Sequence, residues 1–177
     1  GDSLKLYAYR RDSLNRDLVW QDSLVYYLRI DRIRTQTELN KAGNIEMLRL
    51  DSLIRTDSVI KNYSEHEGIY MRSIREGDTV SVERGREIVI HYQGRMPDGE
   101  VFDDSRRMAA PLRFVYGNEG QVLQGLELAL SKMDRGDVYE VIMPSWLAFG
   151  ARGSADGRVE PYQTVIYQVE VLEVAED

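Results

Sequence analysis

The sequence predicts an α+β fold, in which an antiparallel sheet with one short helix follows an α-helical N-terminal region. Glycine and proline are distributed unevenly along the 177 residues. All 4 prolines and all 3 phenylalanines lie after Gly68, and only Gly1 and Gly43 precede it among the glycines. Because glycine and proline mark turns, we predict helices in the first part and short strands and loops in the second. We expect a helical arm at residues 1–65 and a second domain at 66–177.

The N-terminal part has side chains at helical spacing, most of them apolar, which predicts an amphipathic helix. They are Leu4, Tyr7, Arg11, Leu14, Leu18, Gln21, Val25 and Leu28. Thr35 followed by Glu38 is a capping-box pattern that predicts the start of a second helix. We expect Gly43 to break or kink that helix, which then continues to about Tyr63. Three organisations stay open: a helical hairpin packed on the second domain, a dimerisation arm, and a flexible spacer.

Side-chain periodicity predicts the elements of the second part. Apolar side chains alternate with others at 87–93, 138–143 and 164–174, which is typical of antiparallel strands buried on one side. Residues 122–133 change to a helical period, and Gly136 suits a position just past the end of a short helix. A helix lying against a one-sided antiparallel sheet is an α+β arrangement.

The stretch from His91 to Ser105 contains the strongest local signal for a binding site. Pro97–Gly99 is a turn sequence, because proline presets φ at the start of a turn and glycine tolerates positive φ. The return strand then carries Phe102 directly beside Asp103. An aromatic wall with one polar group at its edge is typical of a small binding site.

Composition excludes several classes of function. The net charge of -7 gives no electrostatic footprint for nucleic acid or for an anionic lipid surface. The absence of cysteine excludes disulfides, thiolate metal sites and cysteine nucleophiles. No apolar run approaches the roughly 18 residues that a membrane-spanning helix requires. Of the two histidines, His91 is on the strand face opposite Tyr92, and His66 stands in the charged run Glu-His-Glu, which favours a solvated surface. No phosphate-binding loop or metal-ligand spacing is present, so we expect neither a metal nor a cofactor.

The second part contains a series of motifs. They are Val-Ile-His-Tyr-Gln-Gly, Asp-Gly-Glu-Val-Phe-Asp-Asp-Ser, Pro-Leu-Arg-Phe, Gln-Val-Leu-Gln-Gly-Leu-Glu-Leu-Ala-Leu, Met-Asp-Arg-Gly, Ala-Phe-Gly and Thr-Val-Ile-Tyr-Gln-Val-Glu-Val-Leu. In this order and at this spacing, they resemble the FKBP family of peptidyl-prolyl cis/trans isomerases over about residues 68–174. The resemblance implies a strongly twisted antiparallel half-barrel wrapped around one short helix.

The same resemblance implies a pocket between sheet and helix that takes a prolyl ring. Its catalytic residues would be Tyr92, Phe102 and Tyr167, which pack on the ring, and Asp103, which lies against the carbonyl of the rotating bond. The other substrate-binding residues carried over from the family are Phe114, Val122, Leu123, Leu126 and Phe149, with Leu112 and Val159 near the rim. The backbone N–H of Leu123 would hold the substrate carbonyl, and Leu126 would form the floor.

Three positions depart from the family pattern. Leu126 stands where a tryptophan is usual, and Phe149 lacks the hydroxyl of the usual tyrosine. Met108 replaces the basic residue that often pairs with the pocket aspartate, for which Arg106 and Arg107 are candidate substitutes. The resemblance implies an isomerase of Xaa-Pro bonds in unfolded or partly folded proteins. The alternative is a peptide-binding chaperone or an envelope scaffold with weak or no isomerase activity.

The resemblance also implies partners and a compartment. The expected partners are proline-containing polypeptide clients, and a homodimer would form through the N-terminal helices. FKBP-like domains behind a helical arm resemble periplasmic and lipid-anchored members of the family, which predicts the bacterial cell envelope. The chain opens at Gly1 without methionine and shows no signal segment, a start that fits the removal of a secretion signal or of a lipid-anchoring cysteine.

Overall fold

The computed structural model describes residues 35–56, 62–108 and 110–175, and residues 34–177 form one compact unit. Its helices are α1 (Gln36–Thr56) and α2 (Gln124–Leu130), and a 3-10 turn lies at Ser145–Leu147. Its strands are β1 (Ser64–His66), β2 (Ile69–Arg75), β3 (Glu87–Arg95), β4 (Val101–Asp104), β5 (Leu112–Val115), β6 (Val138–Met143) and β7 (Val165–Val174). The predicted stripe from Leu4 to Leu28 lies outside the described residues.

The strands pair antiparallel in one open sheet. Their order is β1-β2-β6-β7-β3-β4, and β5 also pairs with β3. The three strands predicted from alternation correspond to β3, β6 and β7, which form the middle of this sheet. The predicted α+β fold, an antiparallel half-barrel around one short helix behind an N-terminal helix, is confirmed.

Helix α2 packs on the inner face of the sheet and provides much of the core. Leu126, Ala129 and Leu130 are buried along its inward side. The helix is shorter than the predicted 122–133, because Leu123 is still extended, with φ −60° and ψ 145°. Gly136 has φ +86°, a conformation that glycine adopts without the Cβ penalty of other residues.

The start of α1 follows the predicted capping box. The backbone N–H of Thr35 donates to a carboxylate oxygen of Glu38 at 2.7 Å, and the N–H of Glu38 donates to the Thr35 hydroxyl at 3.3 Å. The predicted break at Gly43 is wrong, because α1 continues through it to Thr56. A Cβ at Gly43 would lie 3.2 Å from ring atoms of Tyr162. The glycine thus permits close packing of the helix on that ring.

Helix α1 lies on the outer face of the sheet. Leu50 is buried against Ile142 of β6 and Ile166 of β7, which are paired in register. Tyr70 of β2 pairs with Ile142 on the other side and packs against the same cluster. The outer face therefore carries an apolar row that α1 covers. Among the described residues, no helix has the length and hydrophobicity needed to span a bilayer.

Candidate active site

The hairpin between β3 and β4 places Phe102 and Asp103 at the edge of the sheet. Its turn is closed by the N–H of Met96, which donates to the carbonyl of Glu100 at 2.8 Å. Gly99 has φ +98° at the predicted turn position. The Asp98 carboxylate also accepts the N–H of Glu100 at 3.1 Å. The turn predicted at Pro97–Gly99 is therefore confirmed, and it fixes the register of the strand that carries the aromatic–acid pair.

Gly94 is the position over which the aromatic side chains converge. It pairs with Asp103 of β4 on one side and with Tyr167 of β7 on the other. A Cβ at this position would lie 2.7 Å from Cζ of Phe102 and 2.8 Å from Cζ of Tyr167. Only glycine leaves room for both rings to approach the strand this closely. Sequence reasoning missed this residue, although a glycine inside a strand often marks a close approach.

Three ring contacts join the predicted aromatic residues. Phe102 packs edge-on against Tyr167, with ring centroids 5.8 Å apart, and edge-on against Phe149 at 5.9 Å. Tyr92 lies tilted against Tyr167 at 5.9 Å. Such edge-to-face and tilted arrangements at 4.5–7 Å are the favoured geometries of aromatic pairs. Phe102 and Tyr167 are buried, whereas Tyr92 and Phe149 are partly exposed. The cluster thus has a buried base and an accessible side.

Burial and the charge of Asp103 raise the pKa of both tyrosine hydroxyls. Burial raises the pKa of the Tyr92 hydroxyl to about 12, assisted by the charge of Asp103 and by a hydrogen bond with that carboxylate. Burial is also the main cause of the raised pKa of Tyr167, followed by the charge of Asp103. Both phenols, which are protonated at neutral pH at their ordinary pKa, therefore keep the proton in more alkaline solution as well. The Tyr92 O–H is a donor beside an acidic group at the edge of the ring cluster.

The remaining predicted residues belong to, or pack against, the core that contains this cluster, at different depths. Leu126 and Phe114 are buried in the same core as Phe102 and Tyr167. The residues that pack on this core and stay partly exposed are Leu112, Val122, Leu123 and Phe149. Val159, expected near the rim, is buried with only 1% of its surface exposed. Its loop folds inward there, because the Val159 N–H donates to the Ser154 hydroxyl and the Val159 carbonyl accepts the Ser154 N–H.

Ser105 and Arg158 hold the backbone of the strands that carry the rings, and sequence reasoning missed both. The buried Ser105 hydroxyl donates to the Tyr92 carbonyl at 3.1 Å and accepts the Tyr92 N–H at 2.9 Å. A guanidinium N–H of Arg158 donates to the Phe102 carbonyl at 2.8 Å. These bonds hold the backbone of two ring-bearing residues. Serine at the end of the Asp-Asp-Ser motif was the available signal for the first; Arg158 has no local signal.

The two arginines considered as partners of Asp103 bind elsewhere. Arg106 forms an ion pair with Glu170 of β7, and Arg107 lies 3.6 Å from a carboxylate oxygen of Asp104. Both follow β4 in a turn that directs them toward these carboxylates. The prediction that Arg106 or Arg107 replaces the missing basic partner of Asp103 is therefore wrong.

The part of the chain that the structure describes places no metal-binding cluster beside the rings. Within 35–56, 62–108 and 110–175, no group of three or more His, Cys, Asp or Glu side chains could hold a metal ion. A groove of about 460 Å³ lies between α1 and the hairpin turn, lined by Leu50, Met96 and Tyr162 among others. It includes none of the predicted site residues. The aromatic cluster beside Asp103 is therefore the candidate active site.

Comparisons with known proteins agree with this geometry. The family model for FKBP-type peptidyl-prolyl cis-trans isomerases matches residues 78–172. The FK506-binding protein of Neisseria meningitidis serogroup B (strain ATCC BAA-335 / MC58) is 34% identical over 109 residues, which cover 62% of this chain and 98% of that protein. The FKBP-type 22 kDa peptidyl-prolyl cis-trans isomerase of Escherichia coli K12 is 33% identical over 111 residues, which cover 63% of this chain and 52% of that protein.

Solved structures show the same fold. The peptidyl-prolyl cis-trans isomerase of Pseudomonas syringae pv. tomato DC3000 matches 82% of this chain and all of its own, with a TM-score of 0.66 and 25% identity. FkpA of Escherichia coli matches 78% of this chain and 63% of its own, with a TM-score of 0.67 and 22% identity. The chain belongs to the FKBP-type peptidyl-prolyl cis-trans isomerase family.

Proposed function

We propose that the aromatic cluster over Gly94 is the prolyl pocket in which this protein isomerises Xaa-Pro bonds. The observation that carries the proposal is the convergence of Tyr92, Phe102 and Tyr167, with Asp103 at their edge. The rings form an apolar surface for the prolyl ring, and the partly exposed side of the cluster gives the substrate its entrance. Contacts at the other predicted wall positions are part of the same proposal: Leu112, Phe114, Val122, Leu123, Leu126, Phe149 and Val159.

The chemistry requires no nucleophile, metal ion or cofactor. Rotation about an Xaa-Pro bond is slow, because twisting abolishes amide resonance; the barrier to peptide-bond rotation is about 18–20 kcal/mol. Water stabilises the planar, charge-separated amide more than the twisted one. A water-poor pocket that holds the twisted form therefore lowers the barrier, because it binds the transition state more tightly than the ground state.

Tyr92, Asp103 and Leu123 would orient the substrate in this pocket. The neutral Tyr92 hydroxyl is held beside Asp103, which lies against the carbonyl that swings during rotation. The backbone N–H of Leu123, at the residue before α2, would hold the other substrate carbonyl. Leu126 would form the floor beneath the prolyl ring. Phe149 supplies ring surface without a hydroxyl, and the missing hydrogen bond is worth about 0.5–1.5 kcal/mol of ligand binding.

The activity test compares three proteins on one Xaa-Pro test peptide. We expect wild type to accelerate isomerisation at micromolar concentration and Phe102→Ala to lose most of that acceleration, because the central ring is removed. Lys41→Ala, an exposed change on α1, is the matched control and should behave as wild type. A wild-type protein that leaves the uncatalysed rate unchanged contradicts the proposal, as does full activity of Phe102→Ala.

A second candidate function is peptide-binding chaperone activity with weak isomerisation. The observations that favour it are the aliphatic Leu126 and the missing hydroxyl at Phe149. Two exposed apolar side chains add to it: Met108 is 60% exposed and Trp146 is 51% exposed. Suppression of client aggregation that survives Phe102→Ala would favour this candidate. Aggregation protection that disappears together with isomerase activity would contradict it.

Clients, assembly and compartment complete the proposal. The partners would be proline-containing unfolded polypeptides, and the N-terminal helices would form a homodimer, supported by the exposure of Met47 and Leu48 on α1. A monomer by light scattering would contradict the dimer. The bacterial cell envelope, periplasmic or lipid-anchored, is supported by the helical region before an FKBP-like domain. Fractionation of cells that express the full-length protein tests the compartment.

The division at 65/66 is also a proposal, with residues 1–65 as arm and 66–177 as the FKBP-like domain. The family match at 78–172 supports it, since this match lies wholly within the second part. Limited proteolysis tests the division, because cleavage between α1 and β1 should come first and leave a stable fragment that contains the matched segment. Protection of that region and early cleavage elsewhere would contradict it.

A further inference from the structure

Glu46 of α1 is a buried carboxylate that lies outside the segment matched by the family model. Its surface is 4% exposed, and the matched segment begins at residue 78. Oxygen Oε1 accepts the backbone N–H of Ser145 at 2.7 Å and the hydroxyl of Thr164 at 2.9 Å. Oxygen Oε2 accepts the hydroxyl of Ser145 at 2.5 Å. Burial of a carboxylate is costly without such bonds, and bonds to an ionised acceptor are stronger than neutral ones.

Ser145 connects this carboxylate to Phe149. The carbonyl oxygen of Ser145 accepts the N–H of Ala148 at 2.9 Å and the N–H of Gly150 at 2.7 Å. These two residues directly flank Phe149, whose ring packs edge-on against Phe102. Glu46 therefore holds the residue whose carbonyl sets the backbone on both sides of this pocket ring.

Thr164 connects the same carboxylate to Tyr167. Thr164 is buried and immediately precedes β7, and Tyr167 is the third residue of that strand. The ring of Tyr167 contacts Phe102 on a second edge, with centroids 5.8 Å apart. One side chain of α1 thus holds the starting points of two segments whose rings meet at Phe102.

We propose that Glu46 is a positioning residue of the prolyl pocket and sets where Phe149 and Tyr167 lie against Phe102. This inference rests on the proposed function of that cluster. Without the carboxylate, two hydroxyls and one N–H lose their common acceptor, and both segments are free to shift. If Phe149 and Tyr167 are displaced, their contacts with the substrate weaken equally in the ground state and in the transition state of rotation. Such a loss of uniform binding raises KM and leaves kcat nearly unchanged.

Three variants test the proposal. Glu46→Ala removes every acceptor. Glu46→Gln keeps the shape: its amide oxygen accepts from Ser145 N–H and from Thr164, and its amide N–H donates to a rotated Ser145 hydroxyl. Lys41→Ala is exposed on the same helix and is the control. For each protein, kcat and KM are measured on an Xaa-Pro peptide at a temperature below the midpoint of its thermal unfolding.

We expect Glu46→Ala to raise KM about tenfold with kcat within about twofold of wild type, because small misplacements of binding groups are costly. Glu46→Gln should restore KM to within about twofold of wild type. A role in stability alone would reduce the folded fraction, which lowers apparent kcat and leaves KM unchanged. An unchanged KM in Glu46→Ala, or a Glu46→Gln variant as impaired as Glu46→Ala, overturns the proposal.

A second readout is independent of catalysis. In amide NMR spectra, Glu46→Ala should move the signals of Ala148, Gly150 and Tyr167, whereas Lys41→Ala should leave them in place. Thr164→Val removes one hydroxyl only, so it should move the signal of Tyr167 and leave that of Gly150 unchanged. If Glu46→Ala fails to fold, Thr164→Val serves as the test variant. If the signal changes in Glu46→Ala are confined to α1 and to Ser145 or Thr164, the proposal is overturned, even when the wild-type protein is inactive. An inactive wild type with shifts at all three signals overturns only the proposed isomerase function.

Discussion

Replacement of Gly94 by alanine perturbs the candidate site by a single methyl group. The new Cβ would lie 2.7 Å from Cζ of Phe102 and 2.8 Å from Cζ of Tyr167. Favourable carbon–carbon contacts lie at about 3.5–4.0 Å, so both rings must move by about 1 Å to accept it. Real Cβ atoms do not approach other atoms this closely. The substitution therefore opens the cluster at the position where Phe102 and Tyr167 meet.

The size of the effect follows from that displacement. Overpacking of a core by one methyl group typically costs about 1–3 kcal/mol of the free energy of unfolding. A displacement of about 1 Å in a catalytic site is worth up to about a hundredfold in rate. We expect Gly94→Ala to lower kcat/KM for an Xaa-Pro peptide by about 10- to 100-fold while the protein still folds. Denaturant unfolding and the isomerisation rate are measured on the same samples.

The control is Gln168→Ala, an exposed position on β7, which introduces alanine in a strand without approaching the rings. It should keep wild-type kcat/KM. Gly94→Ala with kcat/KM within about twofold of wild type would refute the reasoning, because the rings would then not be the binding surface or would tolerate displacement. Equal losses in Gly94→Ala and Gln168→Ala would also refute it, since the effect would belong to the strands and not to the pocket.

Three further predictions concern the same rings. Phe149→Tyr should tighten binding of a prolyl peptide by up to about tenfold in a fluorescence titration, since it restores a hydroxyl; unchanged or weaker binding would contradict this. Folding raises the pKa of the Tyr92 hydroxyl from 10.0 to about 12. The protonated hydroxyl therefore stabilises the folded state fully below about pH 10, and this stabilisation is lost as the pH rises toward about 12. Denaturant unfolding across that range should show a decline that is smaller in Tyr92→Phe, and equal declines would contradict the assignment. Ser105→Ala should lower the midpoint of thermal unfolding, because it leaves the part-buried Tyr92 N–H without its acceptor; an unchanged midpoint would contradict this.

Local patterns predicted the elements that carry the site. Alternation identified β3, β6 and β7, and the Pro97–Gly99 turn placed the Phe102–Asp103 pair near the start of β4. These features depend on residues close together in the sequence, so a single sequence is enough to predict them. Strands β1 and β5 were not predicted, because three and four residues are too few for a clear period. Strand β2 was missed although it has seven residues, because its alternation of buried side chains ends at Met71.

Long-range contacts account for what the sequence did not predict. Gly43 was expected to interrupt α1, since glycine costs a helix about 1 kcal/mol relative to alanine. Packing on Tyr162, more than a hundred residues away, outweighs that preference. The role of Gly94 depends on two rings from β4 and β7, and that of Glu46 on Ser145 and Thr164. No local pattern encodes which side chains meet across such separations.

The central claim is that an Xaa-Pro segment binds and rotates in the ring cluster over Gly94. The most direct measurement is an NMR titration of labelled protein with an unlabelled Xaa-Pro peptide, in which cis–trans exchange of the peptide is followed in the same tube. We predict accelerated exchange together with signal changes at Tyr92, Phe102, Asp103 and Tyr167, and loss of both in Phe102→Ala. Peptide exchange at the uncatalysed rate would contradict the claim, and so would signal changes confined to residues other than these four.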